Sequence, residues 1–180
     1  MKPLILISIL MIVSSDNNYK IDFGQNTGGQ DWIIVNDSVM GGLSKSKVTF
    51  TENGLVFKGT LSLQNNGGFA SIRSGKGKFD LSKYTTVKIK FRSAGRDFSL
   101  LLEDSKLFFK PNYKQNFSSS TGKWNIAELK ISDFKEYTMG QLSGATVSKD
   151  KLENIMRIGI ILSDKKEGPF EIEIDYIEFK

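Results

Sequence analysis

Phe170-Glu171-Ile172-Glu173-Ile174-Asp175-Tyr176 decides the fold class. Apolar residues fall on every second position and acids fill the gaps, the period-2 pattern of a strand with one face in a core and the other in water. The phase then slips, because Ile177 and Phe179 are apolar at odd positions, and such a slip predicts a bulge or a strand end near Tyr176. The same alternation recurs upstream. Val87, Ile89 and Phe91 alternate with Lys88, Lys90 and Arg92; Leu55, Phe57, Leu61 and Leu63 share a face against Lys58, Thr60 and Ser62; Met156, Ile158, Ile160 and Leu162 share another. Shorter runs pair Val48 with Phe50, Phe98 with Leu100 and Leu102, and Trp124 with Ile126, the last read as core. Turn residues separate these runs at Glu52-Asn53-Gly54, Ala94-Gly95-Arg96, Thr121-Gly122 and residues 165–168. Residues 150–156 allow one short helical turn, and residues 118–121 read as a small polar loop. Many short strands with a wetted face predict an all-β antiparallel sandwich or barrel.

The chain has 180 residues, a formal net charge of +5, no His and no Cys. Those two zeros exclude a Ser-His-Asp triad, a Cys nucleophile, disulfides and His/Cys zinc sites. The expectation is a protein that is not an enzyme and needs no cofactor or metal. A glycosidase would need two carboxylates about 5–10 Å apart, and Asp37, Glu103 and Asp104 are the candidates. The lysines are interleaved with acids rather than gathered in a stripe, which argues against nucleic acid.

The first residues read as a targeting segment. Lys2 precedes an apolar run over 4–13, followed by Ser14, Ser15 and Asp16, the layout of a secretory signal peptide cut before Asp16. The run is shorter than the roughly 20 residues a membrane-spanning helix needs. The expected organisation is therefore a leader at 1–15 and a single domain at 16–180. It places the protein outside the cytoplasm, periplasmic or secreted, touching a membrane only through the leader.

Two glycine-rich clusters stand out, Asn36-Asp37-Ser38-Val39-Met40-Gly41-Gly42-Leu43-Ser44 after Trp32, and Asn66-Gly67-Gly68-Phe69-Ala70-Ser71-Ile72-Arg73. Paired glycines allow positive φ or close backbone approach, and neighbouring Asn and Asp can fix a turn. A phosphate cradle would need a following Lys-Ser/Thr and a helix N-terminus, which neither cluster has. Both are either ligand loops or braced structural loops. Arg73 and Arg92 lie on strand faces where Asp37 could meet either one in a charge-assisted clasp. Trp32 heads an apolar run and reads as core before sugar platform. Tyr113 and Phe117, in a polar stretch, are expected to be exposed aromatics.

Trp32 with 36–44, the second cluster through Arg73, the strands over 80–102 with Arg92 and Arg96, the block 124–134 and the block 158–174 together resemble the CIA30 family, named for complex I intermediate-associated protein 30. The resemblance covers nearly all of the chain after the leader. It departs at Ser93-Ala94-Gly95-Arg96, where family members often carry Gly-Asp-Gly-Arg. The resemblance implies a galactose-binding-like jelly-roll sandwich related to carbohydrate-binding modules. It also implies the family's role, an assembly chaperone of respiratory complex I that holds a protein partner. Trp32, Asn36, Asp37, Met40, Gly41, Gly42, Ser44, Asn66, Gly67, Gly68, Phe69, Arg73, Arg92 and Arg96 are the residues it marks for binding or for a loop network. An extracytoplasmic carbohydrate-binding module is the alternative.

Overall fold

Alternation on this scale must bury one face of each strand, and two sheets stacked on their apolar faces satisfy it. The computed structural model describes residues 18–24, 28–119 and 122–180. The leader expected at 1–15 lies outside these residues. One sheet runs in the order β3 (Lys45–Thr51), β4 (Gly54–Leu61), β13 (Gly168–Phe179), β6 (Thr86–Ser93), β9 (Asn125–Lys130), with β1 (Tyr19–Asp22) added to β13. The other runs β11 (Gln141–Thr146), β10 (Lys135–Thr138), β8 (Asn112–Ser119), β7 (Arg96–Glu103), β12 (Arg157–Leu162), β5 (Ala70–Arg73), β2 (Ile33–Asn36). All of these pairings are antiparallel. The expected all-β jelly-roll sandwich is the observed fold, and its helical content includes the single turn α1 (Lys149–Leu152).

The slip seen in the sequence is a bulge. The register of β13 against β6 shifts between Ile174 and Tyr176. At the same place β13 changes its other neighbour: β4 pairs with 168–174, and β1 pairs with 176–179. The Asp175 carbonyl accepts from the Phe23 amide at 2.8 Å, which fixes the changeover. A Cβ on Gly54 would lie 2.1 Å from the Ile174 carbonyl oxygen, so only glycine lets the β3–β4 turn close against the bulge.

The two sheets meet through aromatic rings. Phe91 of the first sheet sits edge-on to Phe117 of the second at 4.8 Å, Phe117 meets Phe98, Phe98 meets Phe170, and Phe170 meets Phe57 at 5.0 Å. Trp32 is core, with its ring edge-on to Phe23 at 5.1 Å. Two expectations fail here. Tyr113 and Phe117 are 1% and 5% exposed, not surface aromatics. They lie on β8 opposite Leu102 and Phe98, so their phase points inward, and burial pushes the Tyr113 phenol up. Trp124 and Ile126 are 36% and 57% exposed, not core. Ile126 lies opposite Lys90 on the outer face, while Ala127 and Leu129 turn in. Leu63 likewise leaves the face it was grouped with and is exposed. Ser118 belongs to β8 rather than to a loop.

Phe117→Ala should cost about 4 kcal/mol, because it removes the ring that joins the sheets and leaves a cavity. Ile126→Ala should cost under about 1 kcal/mol, as an exposed substitution. Urea unfolding of the two variants checks the assignment of faces.

Candidate functional site

The first glycine-rich cluster forms a single 3₁₀ turn, Asp37–Met40, between β2 and β3. Asp37 has no exposed surface. A buried carboxylate must be satisfied by donors, and four are present. The Ser44 amide donates to Oδ1 at 3.0 Å, and the Ser44 hydroxyl donates to Oδ2 at 2.5 Å. The amides of Gly68 and Phe69 donate to Oδ2 at 2.7 and 3.2 Å. Burial alone would raise the carboxyl's pKa, but these donors outweigh it and hold the group below its ordinary value. The Asp37 amide in turn donates to the Phe69 carbonyl. The second cluster is thus laced onto the first.

The glycines are sized to this carboxylate. A Cβ on Gly42 would lie 2.4 Å from Asp37 Cγ, and one on Gly67 would lie 2.8 Å from Asp37 Oδ2. Gly41 and Gly68 take φ of 90° and 122°, and Asn66 takes 58°, a left-handed value that Asn tolerates. The Asn36 side-chain oxygen accepts from the Ser46 hydroxyl at 2.9 Å. Asn36, Asp37, Gly42, Ser44, Gly67, Gly68 and Phe69 therefore come together as one network, while Met40 projects into solvent.

The clasp expected between Asp37 and Arg73 or Arg92 does not form. Arg73 turns to the outer face of β5, where it donates to Glu103 Oε1 at 2.6 Å and to the Ser71 hydroxyl at 3.2 Å. Arg92 pairs with Glu173 across β6 and β13. Arg96, 8% exposed, donates to both oxygens of Asp164 at 2.8 and 2.9 Å and to the carbonyls of Pro169 and Lys166. Asp164 is drawn below its ordinary value, since these donors and Arg96's charge exceed the opposing effect of burial. Of the carboxylates considered for catalysis, Asp37 serves the loops, Glu103 holds Arg73, and Asp104 pairs with Lys151 at 2.7 Å.

Three surfaces around these networks are available to a ligand. The laced loops display Val39, Met40, Leu43 and Leu63, all exposed. The outer face of the six-stranded sheet carries a cleft of about 830 Å³ lined by residues including Lys45, Lys58, Arg92, Ser93, Glu171 and Glu173. Lys58 and Glu171 pair there at 3.3 Å, and Arg92 stacks on Trp124 at 5.2 Å. The outer face of the seven-stranded sheet carries Arg73, Glu103, Lys114 and Arg157 around Gly159 and Leu101. Arg157, Lys114, Glu173 and the exposed loop leucines were not marked from sequence. Glu173 was discoverable, because it holds the polar phase of a strand paired with Arg92. Arg157 was not, because it precedes the apolar run of its strand. Among the described residues no group of His, Cys, Asp or Glu could hold a metal ion, and no helix is long and apolar enough to cross a membrane.

Two antiparallel sheets stacked on their apolar faces and tied by buried loop networks make a jelly-roll sandwich. The family model described as complex I intermediate-associated protein 30 (CIA30) matches residues 21–174, and the chain belongs to that family. It is 26% identical over 170 residues to the mouse protein named complex I intermediate-associated protein 30, mitochondrial. That alignment covers 81% of this chain and 51% of the mouse protein, so the chain spans about half the length of this curated relative. Among solved structures, the family 11 carbohydrate-binding module of the cellulosomal cellulase Lic26A-Cel5E of Clostridium thermocellum superimposes with a TM-score of 0.63 at 15% identity, covering 90% of this chain and 93% of that one. A family 11 module from the same organism, in complex with a β-1,3-1,4-mixed-linked tetrasaccharide, gives 0.60 at 16% identity, covering 90% and 94%. At these identities the likeness is one of fold.

Asp37→Asn turns one of the two acceptor oxygens into an NH2 donor in a site built of four donors, and should cost about 3 kcal/mol. The sign with pH follows from the depressed value. The carboxylate's contribution is complete above its unfolded value near 3.8 and is lost as pH falls through the lower folded value. The gap in Tm between wild type and Asp37→Asn should therefore close as pH drops below about 4, read by circular dichroism melts.

Proposed function

We propose that this chain is a non-catalytic binding module that holds a protein partner, in an assembly role of the kind its family's name denotes. The observation that carries this reading is the loop platform. Val39, Met40, Leu43 and Leu63 stand exposed on two loops that Asp37 fixes from beneath. Clustered exposed apolar side chains on a rigid support mark protein contact surfaces, and a pinned loop loses little entropy on binding. The curated mouse relative, named for association with a complex I intermediate, supports the same direction. The leader-like 1–15 segment supports export, which places the partner outside the cytoplasm.

A second reading, an extracytoplasmic carbohydrate-binding module, draws on the cleft of about 830 Å³ and on Trp124 beside it. An indole partly exposed over a polar cleft offers a stacking face to a sugar ring. Trp32, read from sequence as core before sugar platform, is inside the core.

A crosslinking pull-down with the full chain separates the two. Wild type should recover a partner that the double variant Met40→Asp/Leu43→Asp loses, with Tm within a few degrees of wild type. Equal recovery by the variant overturns the partner reading. Saturable binding on a glycan array that Trp124→Ala abolishes would favour the second reading. Mass spectrometry of the exported protein should find Asp16 as the first residue, and an intact Met1 on it would rule out the leader.

A further inference from the structure

The outer face of the seven-stranded sheet is unusually buried for a surface with the core on its other side. Ser71, Ser99, Leu101 and Ile161 all point away from the core, yet each is classed as buried. They are small or apolar residues standing between longer ones, the relief of a shallow groove. Register fixes its rows. Val35, Ser71, Ile161, Ser99 and Asn116 lie side by side across five strands, and Ile33, Arg73, Gly159, Leu101 and Lys114 form the next row. Arg157, beside Glu103, follows. The groove begins directly under the loop platform, since Asn36 and Ala70 end β2 and open β5 there.

Gly159 lets Arg73 cross. A Cβ at 159 would meet Arg73 Cγ at 3.2 Å and the Ile72 carbonyl oxygen at 2.7 Å. Without that Cβ the Arg73 side chain lies over β12 and reaches Glu103 on β7. Glu103 is the carboxylate of the groove, and Arg73 occupies it. Against that one carboxylate the groove carries three cations, Arg73, Arg157 and Lys114. The Arg157 side chain is half-buried, its charge acts on a Glu103 that Arg73 already holds, and its Nε is buried without a hydrogen-bond partner. Lys114 has no carboxylate partner among the described residues and rests over the Tyr137 ring at 4.0 Å. Burial lowers the pKa of Lys114, as expected of an ammonium partly withdrawn from water with no counter-charge.

A half-buried cation with no carboxylate of its own is costly to a folded chain, and a ligand carboxylate reduces that cost. We infer that this groove receives an acidic peptide segment of the protein partner, with one side-chain carboxylate lying against the half-buried Arg157 guanidinium and a second lying against Lys114. The inference rests on the partner reading above. An acidic polysaccharide is the less suited occupant. Sugar rings need an open aromatic face, and Tyr137 is covered by Lys114 while Tyr113 and Phe117 point inward. The end of the row instead offers the exposed Ile33 to apolar side chains flanking the acids.

The test uses the full chain and a fluorescein-labelled Glu-Leu-Glu-Leu-Glu peptide in fluorescence anisotropy, with Gln-Leu-Gln-Leu-Gln as the neutral control and oligoglucuronate as the sugar arm. The Glu peptide should bind in a salt-sensitive way and the Gln peptide at least tenfold more weakly. Arg157→Gln should weaken the Glu peptide at least tenfold, and Arg157→Lys should restore part of the loss. Lys130→Gln, which removes the same charge from the other sheet, should change it less than twofold. The Arg157 Nε–H resonance should shift on titration, a signal that general charge attraction would not move selectively. No binding, equal losses in Arg157→Gln and Lys130→Gln, or tighter binding of oligoglucuronate each overturn the inference. If Met40→Asp/Leu43→Asp abolishes pull-down while Arg157→Gln leaves it intact, the groove assignment fails and the partner reading stands.

Discussion

A carboxylate sealed from water governs this molecule. Asp37 sits in the crossing from β2, in one sheet, to β3, in the other, and its donors come from Ser44 on that crossing and from Gly68 and Phe69 on the crossing from β4 back to β5. One side chain thereby ties two inter-sheet connections together. Arg96 does the converse at the crossing from β6 to β7, donating to Asp164, Lys166 and Pro169 around the crossing from β12 to β13. A Ser62–Glu167 hydrogen bond at 3.3 Å links the two ties. Four sheet-to-sheet connections are therefore held at one end by one buried anion and one buried cation, each satisfied locally rather than by the other. That arrangement suits a sandwich, whose sheets otherwise meet largely through apolar contacts that fix separation better than register.

The strands were legible because period 2 survives translation into a sheet one residue at a time. β13, its bulge and the inward faces of β6, β7 and β12 follow the sequence pattern, and Trp32 is core as its apolar neighbours suggest. The failures have physical causes. On β8 the inward phase is Tyr113, Gln115, Phe117, and the buried glutamine breaks the apolar rhythm, so two core aromatics looked exposed. On β9 the outward phase holds Ile126, and Trp124 spreads over Lys90 and Arg92. Stacking on cations uses the same residue types as a core, and composition cannot separate the two. The loop motif was found at the right place with the wrong partner. Asp37 meets backbone amides rather than arginine, and which donors reach a carboxylate depends on loop closure, which no short-range pattern encodes.

This division of labour constrains where recognition can occur. A charged residue whose every lone pair or hydrogen is matched inside the fold has nothing left for a ligand, so Asp37 and Arg96 shape the surface without belonging to it. Glu173 is nearly in that state, with Arg92 on one oxygen and Thr51 donating to the other at 3.0 Å, while Arg92 itself stays exposed. The groove on the seven-stranded sheet is different, because its charge does not close: one carboxylate, Glu103, faces Arg73 and Arg157, and Lys114 has no carboxylate partner among the described residues. Stability alone would favour apolar residues at both positions, since an unpaired buried cation is a cost to the free chain. A binding role inverts that preference. The cost is carried by the free chain and relieved on contact, so the affinity gained scales with how poorly these cations are solvated beforehand. The apolar loop platform obeys the same logic through water, exposing surface that the free chain would gain by hiding. The platform and the groove adjoin, and on our reading one partner segment would relieve both, its apolar part on the loops and its acids on the sheet.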